Sequence, residues 1–329
     1  MASLVAAAKK EGSLNVITLP KNWANYGAIM TAFTKKYGIK ITDANPEGSS
    51  QDEINAVKQL KGQSRAPDVL DMGTSFAVTA AASNLLAPYK VASWNNIPAN
   101  EKAANGDWFD DYGGYIAIGY DPSKVKDPPT SFADLLKPEY KHQVAINGNP
   151  TETGAAFAAV YAAALANGGS FDNIAPGVSF FGKLKAAGNF VPVTGSAATV
   201  QSGQTPILVY WDYLLASEVK SQIPGFKITI PTDGHYAAYY SQAISATAPH
   251  PAAARLWEEF LYSTAGQNLW LAGEARPAEL STLVTQGSVD QTAFKTLPAA
   301  PSGGLTFPSP AQLTKAQTVV TQQWAKATG

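Results

Sequence analysis

Cysteine is absent from the 329 residues, which excludes a disulfide scaffold and any thiolate nucleophile or thiolate metal ligand. Histidine is scarce as well. His142, His235 and His250 are the only three, scattered and without a His-x-x-x-His pair, so a zinc site would have to be built from carboxylates. Charged residues make up only 15% and the net charge is −1. The chain therefore lacks the basic surface a nucleic-acid binder needs, and no nucleic-acid partner is expected. No apolar run reaches the ~18 residues of a membrane span, and no secretory signal is visible. There is no Gly-x-Ser-x-Gly elbow, no phosphate loop ending in Gly-Lys-Ser/Thr and no Gly-x-Gly-x-x-Gly. These absences weigh against an enzyme; no catalytic residue, cofactor or metal is expected.

What is present is apolar and regular. Hydrophobic residues reach 45%, which argues against disorder, and the length suits two ordinary domains. Strand-like runs alternate with helical periodicity, which predicts an α/β fold. Leu14–Leu19 reads as a strand. Tyr26, Ile29, Met30, Phe33 and Tyr37 then form one helical stripe. Ile54, Val57 and Leu60 mark a second helix, Asp68–Met72 a buried strand and Phe76–Leu86 a helix. Residues 92–114 carry Asn, Gly, Pro and Asp clusters and read as loop; Tyr115–Tyr120 is strand-like again. Further on, strands are expected at 143–147, 190–193, 206–211, 226–230 and 239–244. Helices are expected at 151–166, 173–187, 197–203, 213–222 and 308–327.

The segment His250-Pro-Ala-Ala-Ala-Arg-Leu-Trp-Glu-Glu-Phe-Leu-Tyr-Ser-Thr-Ala-Gly-Gln267 starts a helix at Pro251, and Gly266 is expected to end the run. Three other passages stand out: Leu4-Val-Ala-Ala-Ala-Lys-Lys-Glu-Gly-Ser-Leu-Asn-Val-Ile17, Ala66-Pro-Asp-Val-Leu70, and Tyr115–Leu136 with its Pro128-Pro-Thr-Ser-Phe-Ala-Asp-Leu. Together, and in this order, they resemble type II solute-binding proteins of bacterial ABC importers, in the polyamine and ferric-ion cluster. Leu14-Asn-Val-Ile and Trp23-Ala-Asn-Tyr26 resemble γ-aminobutyrate-binding members.

The resemblance implies a two-lobed periplasmic-binding-protein type II fold, each lobe a mixed sheet flanked by helices. Lobe 1 would comprise 1–120 and 238–280, lobe 2 would comprise 121–237, and a C-terminal helical segment, 281–329, would pack across the lobes. The hinge would lie near Gly119–Asp121 and Ala238–Ile244. It further implies a periplasmic monomer, its signal peptide removed ahead of Met1-Ala-Ser-Leu-Val, that binds a small molecule and serves the membrane permease of an ABC importer.

Candidate binding residues carry more than one reading each. Trp211-Asp212 places an indole beside a carboxylate, which suits an alkylammonium through cation–π attraction and an ion pair; a core Trp with a capping Asp is the alternative. Gly148-Asn149-Pro-Thr151-Glu152-Thr153-Gly opens a helix, where exposed N–H groups favour an anion; an ordinary capped turn is the alternative. Thr74 and Ser75 offer hydroxyls or a plain N-cap. Arg276 could clamp a carboxylate bidentately or pair with Glu274 or Glu279 at the surface. Trp23, Phe109 and Tyr115 could wall a cleft or fill a core. Tyr240 completes the set. Tyr239 and Tyr240 are adjacent, but neighbours on a strand point to opposite faces, so they are poorly placed to grip one ferric ion. The expected ligand is an amine-containing zwitterion such as γ-aminobutyrate. 2-Aminoethylphosphonate, a polyamine and ferric ion are the alternatives, and an enzyme on a similar fold or an interaction module are the rivals of another class.

Overall fold

The computed structural model describes residues 1–298, 301 and 306–329. Its chain divides into two compact units. Met1–Gly113 with Tyr239–Pro298 forms unit 1, and Gly114–Ala238 with the C-terminal segment forms unit 2. The chain passes from one to the other inside two strands, Phe109–Tyr120 and Ala237–Ser245. The outward passage, between Gly113 and Gly114, lies ahead of the expected Gly119–Asp121. The return, between Ala238 and Tyr239, falls at the start of the expected Ala238–Ile244.

Unit 1 opens with helix Ala2–Glu11, which Gly12 ends in the left-handed conformation. Strand Ser13–Ile17 follows and pairs in parallel with Lys40–Ala44, Leu14 opposite Ile41. Between them runs helix Tyr26–Tyr37, burying Tyr26, Ile29, Met30 and Phe33 at the helical spacing seen in the sequence. Helix Ser50–Gln59 starts at a capping box, Ser49 with Asp52. Strand Val69–Gly73 is buried throughout and runs antiparallel to the second half of Ala237–Ser245, Tyr240 opposite Gly73. Helix Thr74–Ala82 leaves directly from its end. The core is closed by aromatic rings: Phe33 lies 5.2 Å from Trp257, and Tyr26 5.0 Å from Trp270. Each such fully buried side chain contributes ~1.5–3 kcal/mol.

Two expectations for unit 1 need correction. Residues 109–114 are strand, not loop, and every residue from Phe109 to Gly119 is buried. The Asp-Asp pair misleads because Asp is depleted from strands; here both carboxylates have hydrogen-bond donors inside the fold. The 250–267 run is also two helices, Pro251–Leu261 and Thr264–Ala272. Ser263 caps the second by accepting from the Gly266 N–H. Gly266 therefore lies inside a helix. It is needed because a Cβ there would meet the Phe260 carbonyl oxygen at 2.2 Å.

Unit 2 is a mixed sheet. The Gly114–Tyr120 part of the long strand pairs antiparallel with Ile207–Trp211, Ile116 opposite Trp211, and with Lys227–Thr229. Ile207–Trp211 continues in parallel to Val144–Ile146, and that strand in parallel to Phe190–Thr194. Helix Gly154–Ala166 is alanine-rich and buried from Gly154 to Ala164; helix Ala175–Ala186 packs against it. The expected helix 213–222 is a short turn, Asp212–Leu214, widening into a π-helix, Leu215–Lys220.

The C-terminal helix Pro310–Thr328 packs on Ala175–Ala186 of unit 2. Its Trp324 ring lies 5.4 Å from Phe181 and 6.2 Å from Phe190. Residues 281–298 belong to unit 1, where Leu283 and Val289 pack on Leu271. The rest of the expected 281–329 segment, at 299–300 and 302–305, lies outside the described residues. Trp324 is the main apolar anchor of the last helix. Trp324→Ala should destabilise unit 2 by ~3–5 kcal/mol, as for a buried aromatic cut to alanine. Urea unfolding followed by circular dichroism measures this, and a loss below ~1 kcal/mol would show that the helix is not held by this ring.

Candidate ligand-binding site

In unit 1 the loop ahead of helix Tyr26–Tyr37 is wound into unusual backbone conformations. Thr18, Ala24 and Asn25 have φ of 54°, 43° and 70°. Such conformations cost ~1–3 kcal/mol each and persist only where the surroundings enforce them. Here Ala24 is fully buried and the Asn25 amide donates to the Leu269 carbonyl at 2.8 Å. The loop presents Trp23, half-buried, with its ring edge-on to Tyr240 at 5.4 Å. The Trp23 indole N–H donates to the Tyr112 hydroxyl at 2.7 Å. Tyr112 stacks parallel on Tyr240 at 5.7 Å and on Trp270 at 4.3 Å. The structure thus joins two of the expected residues, Trp23 and Tyr240, through one that the sequence did not single out. Tyr112 sits in the stretch read as loop, and only strand periodicity running from Phe109 could have drawn attention to it.

Behind these rings lies a buried polar network. Asp71 Oδ2 accepts from Tyr112 at 2.7 Å and from Tyr26 at 2.8 Å. The Gln242 amide donates to Tyr26 at 2.8 Å and to Asp111 Oδ2 at 2.9 Å. Glu53 accepts from the Asp71 N–H at 2.9 Å. Burial pushes the Asp71 carboxyl up to about 7, against the lowering effect of the two phenol hydrogen bonds. Burial, and then the charge of Asp71, holds Glu53, Asp111 and Glu258 well above the usual carboxylate range. Asp110 is raised by burial too; Ser241 and Thr74 place their hydroxyls on it.

The remaining candidates of unit 1 are placed as follows. Thr74 does not cap its helix; its hydroxyl lies 3.0 Å from the Tyr239 carbonyl and 3.2 Å from Asp110. Ser75 is buried in the same helix. Phe109 is buried, its ring between Trp94 at 5.5 Å and Tyr262 at 4.9 Å. Arg276 is buried, pairs through its backbone with Gly113, and donates from Nη2 to the Pro298 carbonyl.

In unit 2 Asp212 is 2% exposed and its Oδ1 accepts from the Tyr115 N–H at 2.9 Å. This contact dictates Gly114, since a Cβ there would lie 2.1 Å from the same oxygen. Trp211 is buried and stacks on Tyr213 at 6.1 Å; Tyr115 is buried as well. The 149–153 turn satisfies most of its own donors. Thr151 N–H goes to the Asn149 side chain, Glu152 and Thr153 N–H to the Asn149 carbonyl, and Ala156 N–H to the Thr153 hydroxyl. Thr153 is the N-cap, and the helix starts at Gly154 rather than Thr151.

Residues 64–300 match the family described as bacterial extracellular solute-binding protein. No curated protein matches the sequence. Among solved structures the chain is similar to the periplasmic binding protein AfuA from Actinobacillus pleuropneumoniae with fructose-6-phosphate bound. The two share 16% identity and a TM-score of 0.77, over 96% of this chain and 98% of that one. It is similar to an ABC transporter substrate-binding protein from Bradyrhizobium japonicum at 16% identity and a TM-score of 0.75, covering 97% and 100%. It is also similar to iron-bound HitA from Pseudomonas aeruginosa at 20% identity and 0.69, covering 96% and 99%. These likenesses show the expected α/β fold class.

The raised carboxyls make stability depend on pH. A carboxyl whose folded value lies above its unfolded one favours folding while protonated and loses that contribution as pH rises through the folded value. Asp43 titrates at about 6, and Asp71 and Glu101 at about 7. Asp121 and Asp134 act oppositely, since lysine and hydroxyl partners pull them down, and their contribution disappears only below about pH 4. The melting temperature should therefore fall steadily from pH 5 to pH 8 in scanning calorimetry. A rise over that interval would contradict the burial assigned to these acids.

Proposed function

The chain belongs to the bacterial extracellular solute-binding proteins, and from that premise we propose that it captures a small amine-containing zwitterion and delivers it to the membrane permease of an ABC importer. It does so as a monomer outside the cytoplasm and without catalysis. The observation that carries the ligand class is the half-buried Trp23 ring of unit 1, backed by the buried rings of Tyr240 and Tyr112. Aromatic faces attract an ammonium through the ring quadrupole. In unit 2 a carboxylate stands next to an indole in sequence, Asp212 after Trp211, both withdrawn from solvent, and supplies the counter-charge such a group requires. An ω-amino acid such as γ-aminobutyrate carries the ammonium that either chemistry would take. The anionic end would fall to Ser75, Arg276 or the 149–153 turn.

The experiment is a thermal-shift screen of γ-aminobutyrate, 2-aminoethylphosphonate, putrescine, fructose-6-phosphate and ferric ion. A bound solute at 100 times its Kd adds about 2.7 kcal/mol of stability. An ω-amino acid is expected to raise the melting temperature; a shift with the sugar phosphate or ferric ion alone would replace the zwitterion with that solute. Asp212→Asn refines the test, because the amide oxygen can still accept from Tyr115 while the charge is gone. It should weaken an ammonium ligand by ~2–5 kcal/mol in calorimetry. An unchanged Kd would make Asp212 purely structural.

A further inference from the structure

We propose that Tyr112 is a positioning residue: anchored on Asp71, it fixes the Trp23 indole against Tyr240, and its hold tightens when Asp71 releases its proton. The inference rests on the reading of Trp23 as part of the binding surface. Its argument comes from the order of the hydrogen bonds. Trp23 Nε1–H has one proton to give and gives it to Tyr112. Tyr112 therefore accepts from the indole and spends its own proton on Asp71 Oδ2. Tyr26 donates to the same oxygen, and Oδ1 of Asp71 is buried with no hydrogen-bond partner among the described residues.

This asymmetry places the titrating proton. Oδ2 is committed to two phenol donors, so a proton on the carboxyl sits on Oδ1 and leaves both bonds intact. When that proton leaves to solvent, Oδ2 becomes an anionic acceptor. Charge-assisted hydrogen bonds are shorter and roughly twice as strong as neutral ones. A phenol that donates to an anion is in turn a better acceptor, because hydrogen bonds in a chain polarise one another. The gain is passed to the Trp23 N–H.

The groups that face Asp71 decide where this happens. They are Glu53 from helix Ser50–Gln59, Tyr26 from helix Tyr26–Tyr37, Tyr112 and Asp111 from the long strand, and Glu258 from helix Pro251–Leu261. All are acids or phenols. Burial, and then the charge of Asp71, raises Glu53, Asp111 and Glu258, and burial pushes Asp71 itself up to about 7. The strained backbone at Ala24 and Asn25, tied down through Leu269, keeps the indole in reach of Tyr112 in both protonation states.

The test reads the Trp23 indole N–H by nuclear magnetic resonance on the ligand-free protein from pH 5 to pH 9, with the signal assigned by Trp23→Phe. The expected result is a downfield movement with a midpoint near pH 7 that vanishes in Tyr112→Phe and in Asp71→Asn. Tyr112→Phe keeps the ring stacking on Tyr240 and Trp270, so it serves if Asp71→Asn fails to fold. A Trp23 signal that does not titrate, or one that titrates unchanged in Tyr112→Phe, overturns the inference. No solute is needed, so this outcome is separate from that of the solute screen.

Discussion

Unit 1 depends on a single constraint: carboxylates buried in its central strands must be given hydrogen-bond donors. Asp71, Asp110 and Asp111 lie on the strands that make its sheet, and removing one of these acids from water without compensation would cost several kcal/mol. The sequence supplies phenols, hydroxyls and an amide from Tyr26, Thr74, Ser241 and Gln242, and from Tyr112 on the same strand as Asp110 and Asp111. Because these donors come from strands and helices far apart in the chain, the network fixes the register of the return strand as well as the rotamers of the aromatic side chains. The Tyr26, Tyr112 and Trp270 rings that pack around it add the apolar burial that keeps water out.

The proposed function draws on where this network ends. Its last member toward solvent is the Trp23 indole, held on a loop whose backbone conformations are costly and therefore enforced. Buried acids, an ordered tyrosine and a half-exposed tryptophan form one continuous chain of hydrogen bonds. A rigid aromatic edge of that kind loses little conformational entropy when a solute settles on it, which is how preorganisation raises affinity. Unit 2 solves a related problem more simply. Asp212 is buried at the end of its strand and accepts from the Tyr115 N–H, and Gly114 is the residue that lets the carboxylate approach.

The architecture was largely legible in the sequence because most of its elements are periodic. Tyr26–Tyr37, Val69–Gly73 and Ile207–Trp211 follow directly from apolar spacing, and the order of four short motifs pointed to the family. What escaped was polar and tertiary. Phe-Asp-Asp-Tyr at 109–112 looks like a turn until the donors on Tyr26 and Gln242, distant in sequence, are brought to it. The break at Ser263 lies within a run read as one helix and is marked by the Ser263 cap, with a close backbone contact at Gly266. Of the candidate site, Trp23 and Tyr240 could be read as aromatic walls, but Tyr112, which connects Trp23 to Asp71, could not, since its role exists only once three segments meet.

The central claim is that the Trp23 surface of unit 1 takes part in holding the solute. The most direct measurement is a titration of the protein with γ-aminobutyrate, following the indole N–H signals of the seven tryptophans. The account predicts that the Trp23 signal moves as the solute binds, while that of Trp324, packed on Phe181, stays where it is. Binding established by calorimetry with no movement at Trp23 would contradict it.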